Sequence, residues 1–370
     1  MKEQRPMPFS LKDIFKGTSN VQLGIDVGAS AIKVVSVEKG ANGTELLGLG
    51  WEETPAGAVV DGSLNDLQTI TKAVKSALDQ TRTRYGGASA TVGLRGLNVI
   101  YKRLMIPYQG MAELPKQVLL EAQQHVDSDL DHWQIDYETL EAANTEGQIP
   151  ILLVAAKKSL VDQYVDMLKQ VGVRPSVLDC DAFAMSNSFE FSYPDAQQTT
   201  LCVDVGRDST KVHMMRAGKS VIIRSLPLGG GHFTDLLSKH LNINYTEAES
   251  IKWNVGNPDF TAGYPDIDTV CRQHTNELCE EIKKTIEFYG GIENQGGERL
   301  VDVVVLSGGG SVVPGLSESL STLLNADAVY ASPFKGMTIN KKVNSEVTSR
   351  YSHQFAVAAG LALRREGDRI

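Results

Sequence analysis

Short apolar runs broken by glycine turns dominate two stretches of this chain, and apolar stripes at helical spacing follow each of them. The run "VVSVEKGANGTELLGLGWEE" reads as two strands around a Gly-Ala-Asn-Gly turn, and "HMMRAGKSVIIRSLPLGG" as two more around Arg-Ala-Gly-Lys. After the first, Leu67, Ile70, Val74, Ala77 and Leu78 recur at helical steps and share one face. After the second, Phe233, Leu236, Leu237 and Leu241 do the same. Between them the pattern predicts strands over Val99–Ile106, Gln134–Leu140 and Ile149–Ala156 and helices over Glu113–His125 and Ser159–Val171. That is a small αβ module of its own. A later helical stretch carries Leu278, Ile282, Ile286 and Tyr289 on one stripe. An apolar strand from Val301 to Leu306 then runs into a glycine turn, with a helix after Pro314.

The two strand-rich stretches are copies of one another. "LGIDVGASAIKV" (Leu23 to Val34) and "LCVDVGRDSTKV" (Leu201 to Val212) share Leu, Asp, Val, Gly, Lys and Val at the same spacing. A chain of 370 residues exceeds one compact core, and the duplication implies two similar α/β lobes facing each other.

Composition narrows the class. Hydrophobic residues at 42% and charged residues at 22% describe a globular chain rather than a disordered one. A net charge of −9 argues against non-specific nucleic-acid binding, which needs basic surface to release counterions. The four cysteines are far apart with no Cys-x-x-Cys pair, which favours buried free thiols over a zinc or disulfide framework. The opening "MKEQRPMPFSLKDIFKG" has no apolar run and is not read as a secretory signal. No run of 18 apolar residues occurs, so the expectation is a cytoplasmic protein, at a membrane only through a partner. Trp51, Trp133 and Trp253 are read as packing residues, with Trp133 nearest a partner.

The repeated phrase suits phosphate chemistry. Gly28 and Gly206 let backbone N–H groups approach phosphate oxygens with no Cβ in the way. Ser30, Thr210 and Lys33 can add hydrogen bonds or positive charge. The carboxylates Asp26 and Asp204 would repel phosphate directly and make sense through Mg2+ and its waters. One such turn alone is equally a structural tight turn; two copies in register point to phosphates gripped from both sides. Ser307, Gly308, Gly309 and Gly310 form a third turn, open enough for a flat ring such as adenine, or else an ordinary βα turn.

Together these residues resemble the actin-like ATPase superfamily. The resemblance implies an α/β fold of two duplicated ribonuclease H-like lobes with an inserted αβ module in the first lobe. It implies two phosphate loops, Asp26–Lys33 and Asp204–Lys211 (with Asp208 inside the second), and an adenosine loop at Ser307–Gly310. Two connecting helices fall near "LDCDAFAMS" and "FAVAAGLALR". Glu249 and Lys252 of "EAESIKW", one helical turn apart, match the pair that the superfamily places around ribose and base; the alternative is a surface ion pair. The implied cofactors are ATP and Mg2+. Asp179 and Asp181 are the candidates for orienting a hydrolytic water, with Asp181 preferred over its alternative role as a helix cap.

The chain divides on this reading into a tail (1–20), a first lobe (21–94 and 174–196, with a final helix 346–366 packing back on it) and the inserted module (95–173). The second lobe spans 197–234 and 298–345, with a helical insertion at 235–297.

Within the superfamily, "VLLEAQQHV", "ILLVAAKKSLVDQYVDMLKQVGVRPSVLDCDAFAMSN", "TEAESIKW" and "LSGGGSVVPGLSESL" resemble the PilM family of type IV pilus proteins, from Val21 to Arg364. That resemblance implies an ATP-binding cytoplasmic adaptor that binds the cytoplasmic N-terminus of a PilN-like inner-membrane protein in a groove involving the inserted module. Pilus motor ATPases and the platform protein are further implied partners. Where the family carries Pro-Phe after the first module helix, this chain has "HVDSDLDHW". The division protein FtsA is the related alternative, a filament former ending in an amphipathic membrane helix; "RREGDRI" is too short and polar for one. A small-molecule kinase on the same fold is the other, for which no substrate signature is found. At most slow hydrolysis is expected.

Overall fold

In the first half, β1 (Val21–Val27), β2 (Ala31–Gly40) and β3 (Gly43–Glu53) form an antiparallel meander. A two-rung hairpin follows, β4 (Val59–Val60) with β5 (Ser63–Leu64), and then α1 (Leu67–Gln80) and β6 (Ser89–Leu94). These come from a computed structural model that describes residues 20–368 apart from 42, 97, 127–128, 195–197, 256–263, 265 and 294–299. The expected tail, with its "FSLKDIFK" segment, lies almost wholly outside the described residues.

β6 lies parallel to β1, and β10 (Arg174–Cys180) lies parallel to β6. β1 is buried along nearly all its length because α1 covers one face and later helices the other. The second half repeats this plan. β11 (Thr199–Val205), β12 (Thr210–Arg216) and β13 (Lys219–Leu226) form the meander, while β14 (Val303–Ser307) and β15 (Asp327–Tyr330) add parallel strands beside β11. The strand orders are β10-β6-β1-β2-β3 and, in the same sense, β15-β14-β11-β12-β13.

The inserted segment is a separate three-stranded antiparallel sheet. β7 (Val99–Pro107) and β8 (Trp133–Thr139) flank β9 (Gln148–Lys157). α2 (Leu114–Ala122) buries Leu114, Val118 and Ala122 against one part of it, and α3 (Lys158–Gln170) sinks Leu160, Tyr164, Met167 and Leu168 into the first-lobe core. Trp133 is buried here, whereas Trp51 and Trp253 stand on the surface, against the expectation of packing for all three.

α4 (Asp181–Ser192) connects the lobes. In the second half, α5 (Gly230–Leu241), α6 (Tyr245–Lys252) and the start of α7 (Ile267–Glu293) pack on one another. The rest of α7 behaves differently: Leu278, Ile282 and Ile286 enter the second-lobe core, as α1 does in the first lobe. The insertion is therefore shorter than 235–297, because the repeat itself requires a helix between its third and fourth strands. Tyr289 lies outside the residues whose side chains are described.

After α8 (Leu316–Leu324) and β15, the chain crosses back earlier than residue 346. β16 (Thr338–Ile339) already pairs with β3, and Phe334 and Met337 pack with Val35, Val37 and Leu46. A two-residue strand carries no periodicity for a sequence to show. The expected single helix over 346–366 is broken as well. α9 (Ser345–Arg350) is a short exposed turn, and the buried helix is α10 (Ala356–Leu363). α10 sits between β1 and α4 at backbone contact: a Cβ on Gly360 would lie 1.6 Å from the Ala184 carbonyl oxygen, and one on Gly24 would lie 2.0 Å from that of Ala358. "AVAAGLAL" is small because nothing larger fits.

Candidate functional site

Each copy of the repeated phrase is a β-hairpin. Asp26 pairs with Lys33 across the first and Asp204 with Lys211 across the second. The turns close identically, with Gly28 N–H donating to Ala31 O (3.1 Å) and Gly206 N–H to Ser209 O (3.0 Å). Thr54 braces the first turn, its hydroxyl donating to Gly28 O at 2.6 Å and its N–H to Ser30 O at 2.9 Å. That leaves the Ser30 side chain exposed at the tip.

The two aspartates stand in opposite electrostatic environments. Burial pushes the Asp26 carboxyl up, but Arg95 and Lys33 outweigh it and hold the group below its ordinary value. Lys33 Nζ lies 3.1 Å from Oδ2, and Arg95 Nη2 bonds Oδ1. Asp204 has no such pair. Burial raises it, against a hydrogen bond from Ser307 Oγ (2.8 Å) and the Arg95 field. Its hairpin lysine, Lys211, turns instead toward the Tyr101 ring of the inserted module, 5.6 Å from the centroid.

Asp181 is the first residue of α4, after Cys180 in the cap position. Its Oδ1 accepts from Ala182 N–H (2.9 Å), and its Oδ2 lies 3.8 Å from Arg95 Nε. The other candidate, Asp179, is tied to Arg364 at 2.9 Å. The carboxylates of both lobes thus surround one guanidinium, which feels Asp26, Asp181 and Asp204 together.

The third turn differentiates its glycines. Gly308 (φ +83°) and Gly310 face the second hairpin, where a Cβ would meet Val205 O at 2.4 Å or Val205 Cγ1 at 2.6 Å. Gly309 has open space where a Cβ would point. Beside it, α5 begins at "GGG": Gly230 N–H donates to Gly206 O and Gly231 N–H to Arg207 O, both at 2.8 Å. The helix start thereby fastens the second turn. Lys252 Nζ reaches the same place, 3.3 Å from Gly230 O, 2.9 Å from Thr234 Oγ1 and 2.6 Å from Glu249 Oε1. Burial raises Glu249, and hydrogen bonds from Lys252 and Thr234 bring it below its usual value. The pair is half-buried at the cleft rather than a solvated ion pair.

Two expected contributors lie elsewhere. Thr210 is fully buried and donates its hydroxyl to Leu228 O (2.5 Å), because as the first residue of β12 it turns inward. Asp208 stands at the surface beside Arg207 (3.9 Å), its side chain only 36% exposed, and this partial desolvation together with nearby Asp61 raises its carboxyl, against Arg207. Arg95 was not visible as a site residue. The signal was its position directly after β6, since open parallel sheets place ligands at the carboxyl ends of strands. Thr234 and Gly230 were equally hidden inside "LPLGGGHFT".

The turns fit a phosphate chain: the first is flanked by two cations, and Gly309 leaves room for a flat group. Mg2+ fits less well than expected at Asp26 and Asp204. Both Asp26 oxygens are held by cations, and among the described residues no three His, Cys, Asp or Glu side chains converge as a metal site.

Two duplicated α/β lobes, each bringing a glycine hairpin to one cleft, define the actin-like ATPase fold. MreB 5 of Spiroplasma citri bound to AMPPNP shares it, with a TM-score of 0.50 and 13% identity over 93% of this chain and 95% of that chain. The chain belongs to the family of type IV pilus assembly protein PilM, whose model matches residues 24–366. It is similar to a chain of the solved PilM-PilN type IV pilus biogenesis complex, with a TM-score of 0.80 and 27% identity, covering 93% of this chain and 98% of that one. FtsA of Staphylococcus epidermidis is 20% identical over 380 residues, 90% of this chain and 79% of FtsA.

Proposed function

We propose that this protein is a nucleotide-binding adaptor of type IV pilus assembly that takes up the N-terminal segment of a PilN-like inner-membrane protein. The observation that carries the reading is the likeness, over almost the whole of both chains, to the PilM-PilN complex. On this proposal the two hairpin turns hold the phosphates of ATP, Gly309 faces the base, and Glu249 and Lys252 flank the nucleoside. Bound nucleotide would join the lobes, since its contacts come from both. Asp181 is the group for orienting water, but with Arg95 beside it turnover is slow at most. Among the described residues no helix is long and apolar enough to cross a membrane. The partner supplies the membrane attachment, and on this proposal the adaptor links that partner to the motor, with the motor ATPases and platform protein as further contacts.

The partner groove is proposed where the module meets the second lobe. A cavity of about 100 Å³ lies there, lined by Tyr101, Arg103, Leu140 and Leu152 of the module and by Ile222 and Ile223 of β13. β13 is an edge strand, and extended peptides bind such edges while filling alternate pockets. The test is fluorescence anisotropy of a labelled N-terminal peptide of the host's PilN-like protein with ATP present. Saturable binding that Ile222→Arg weakens by at least about tenfold is the expected result, an anchor in a buried pocket being worth that much. No binding with either ATP or ADP would remove the adaptor reading. The FtsA relatives favour a second reading, a nucleotide-dependent filament, which sedimentation with ATP would reveal.

A further inference from the structure

We propose that Arg95 is a built-in counter-cation for the nucleotide phosphates, so that this protein binds nucleotide without a divalent metal. The inference rests on the nucleotide-binding reading above and concerns how that site is charged. A cleft with open carboxylates recruits a divalent ion because carboxylate and phosphate repel. Here the first-lobe carboxylates are not open, and Asp204 has one oxygen bonded by Ser307. Asp26 gives one oxygen to Arg95 and the other to Lys33, and Asp181 faces Arg95 Nε. A divalent ion at Asp26 would have to displace a guanidinium that is only 17% exposed and break its ion pair.

The guanidinium also points the right way. Its Nη1 lies 3.5 Å from where a Gly28 Cβ would be, as does Lys33 Nζ, so two cations border the first turn. Its buried Nε–H lies 3.8 Å from Asp181 Oδ2 and makes no hydrogen bond there, on a group built to fork between oxygen pairs. The backbone behind it is clamped. Asp61 and Gly62 of the β4–β5 turn press on Arg95 and Gly96 so closely that a Cβ on Gly62 would lie 2.2 Å from Arg95 O. Tyr164 of α3 donates to Gly62 O at 3.0 Å and holds that turn down. The backbone that carries Arg95 is thereby fixed beside Asp26.

The experiment is a titration of the full chain with ATP and ADP by calorimetry, in excess EDTA and in excess magnesium, for the wild type and Arg95→Met. The wild type is expected to bind more tightly in EDTA than in magnesium, since magnesium held by free ATP must be released before a site that takes up no ion can bind the nucleotide. Arg95→Met is expected to lose about tenfold or more in EDTA, the size of lost charge-assisted hydrogen bonds, and to regain affinity with magnesium as Asp26 is freed. Wild-type binding that requires magnesium would overturn the role of Arg95 and leave the nucleotide site standing. Equal binding by Arg95→Met and wild type in EDTA would overturn it too. No binding by the wild type in either condition would remove the nucleotide reading and this role together. Because the wild-type comparison alone can refute the proposal, it stays testable even if the variant fails to fold.

Discussion

Asp26 and Asp204 occupy equivalent places in the two repeats, yet their neighbours give them opposite charge preferences. Asp26 is held below its ordinary pKa of 3.8, so its contribution to stability is present above the unfolded value and disappears as pH falls through the folded one. Asp204 is raised above 3.8, so ionising it as pH rises past that value costs the fold stability. The two asparagine substitutions should therefore act in opposite directions at neutral pH. Asp26→Asn leaves Arg95 and Lys33 beside a neutral group and should cost about 3–5 kcal/mol, the usual consequence of breaking a buried ion pair. Asp204→Asn can still accept from Ser307 and should stabilise by about 1 kcal/mol, roughly 2 °C in melting temperature. Denaturant unfolding at pH 7 and again near pH 3, below the unfolded value of 3.8, would check both, and the penalty of Asp26→Asn should shrink at the lower pH. A rise in stability on Asp26→Asn would contradict the ion-pair account.

The elements follow their periodic patterns closely where one face meets a core. The predicted strand over Ile149–Ala156 appears as Gln148–Lys157, and the stripe through Leu67 and Leu78 as α1. Elements that lack a two-sided environment were harder to see. α9 buries no residue and β16 is two residues long, so neither carries a hydrophobic period. α10 is buried all round, and its tolerance depends on the backbones on both sides of it. Gly360→Val should therefore cost about 3 kcal/mol or more through overpacking against Ala184, although glycine is a poor helix former and its replacement on an exposed helix would be favourable. Thermal denaturation of Gly360→Val beside a change on the exposed face of α1, such as Lys72→Ala, would separate these effects.

At the scale of the whole molecule, the cleft exists only because the two lobes close around it. Its parts come from β1–β2, β6, α4, β11–β12, α5–α6 and the turn after β14, spread over most of the chain. A ligand that touches both lobes stabilises the folded chain by mass action, by about 2.7 kcal/mol at a hundred times its dissociation constant. ATP at that excess should therefore raise the melting temperature. Lys252→Ala should reduce the shift, because it removes the cation that ties α6 to Gly230 and Thr234. Scanning fluorimetry of both proteins with and without ATP checks this, and an unchanged shift in the variant would remove Lys252 from the site.

The duplicated phrase by itself determined the architecture: two copies of Asp-x-Gly hairpins in register require two like lobes, and the local periods place a helix or strand at nearly every predicted position. The same phrase marked Gly28 and Gly206 as turn glycines, because backbone turns are local properties, while Glu249 and Lys252 were indicated only by the resemblance to the actin-like ATPase superfamily. What only the tertiary structure decided is how the charges are shared. Lys33 closes on Asp26 while Lys211 turns to Tyr101, and Thr210 faces inward while Arg95, assigned by sequence to the start of the inserted module, stands among the carboxylates of both lobes. Identical residues in identical local motifs diverge here because the direction and strength of a charge interaction depend on neighbours brought from far along the chain, which no local pattern records.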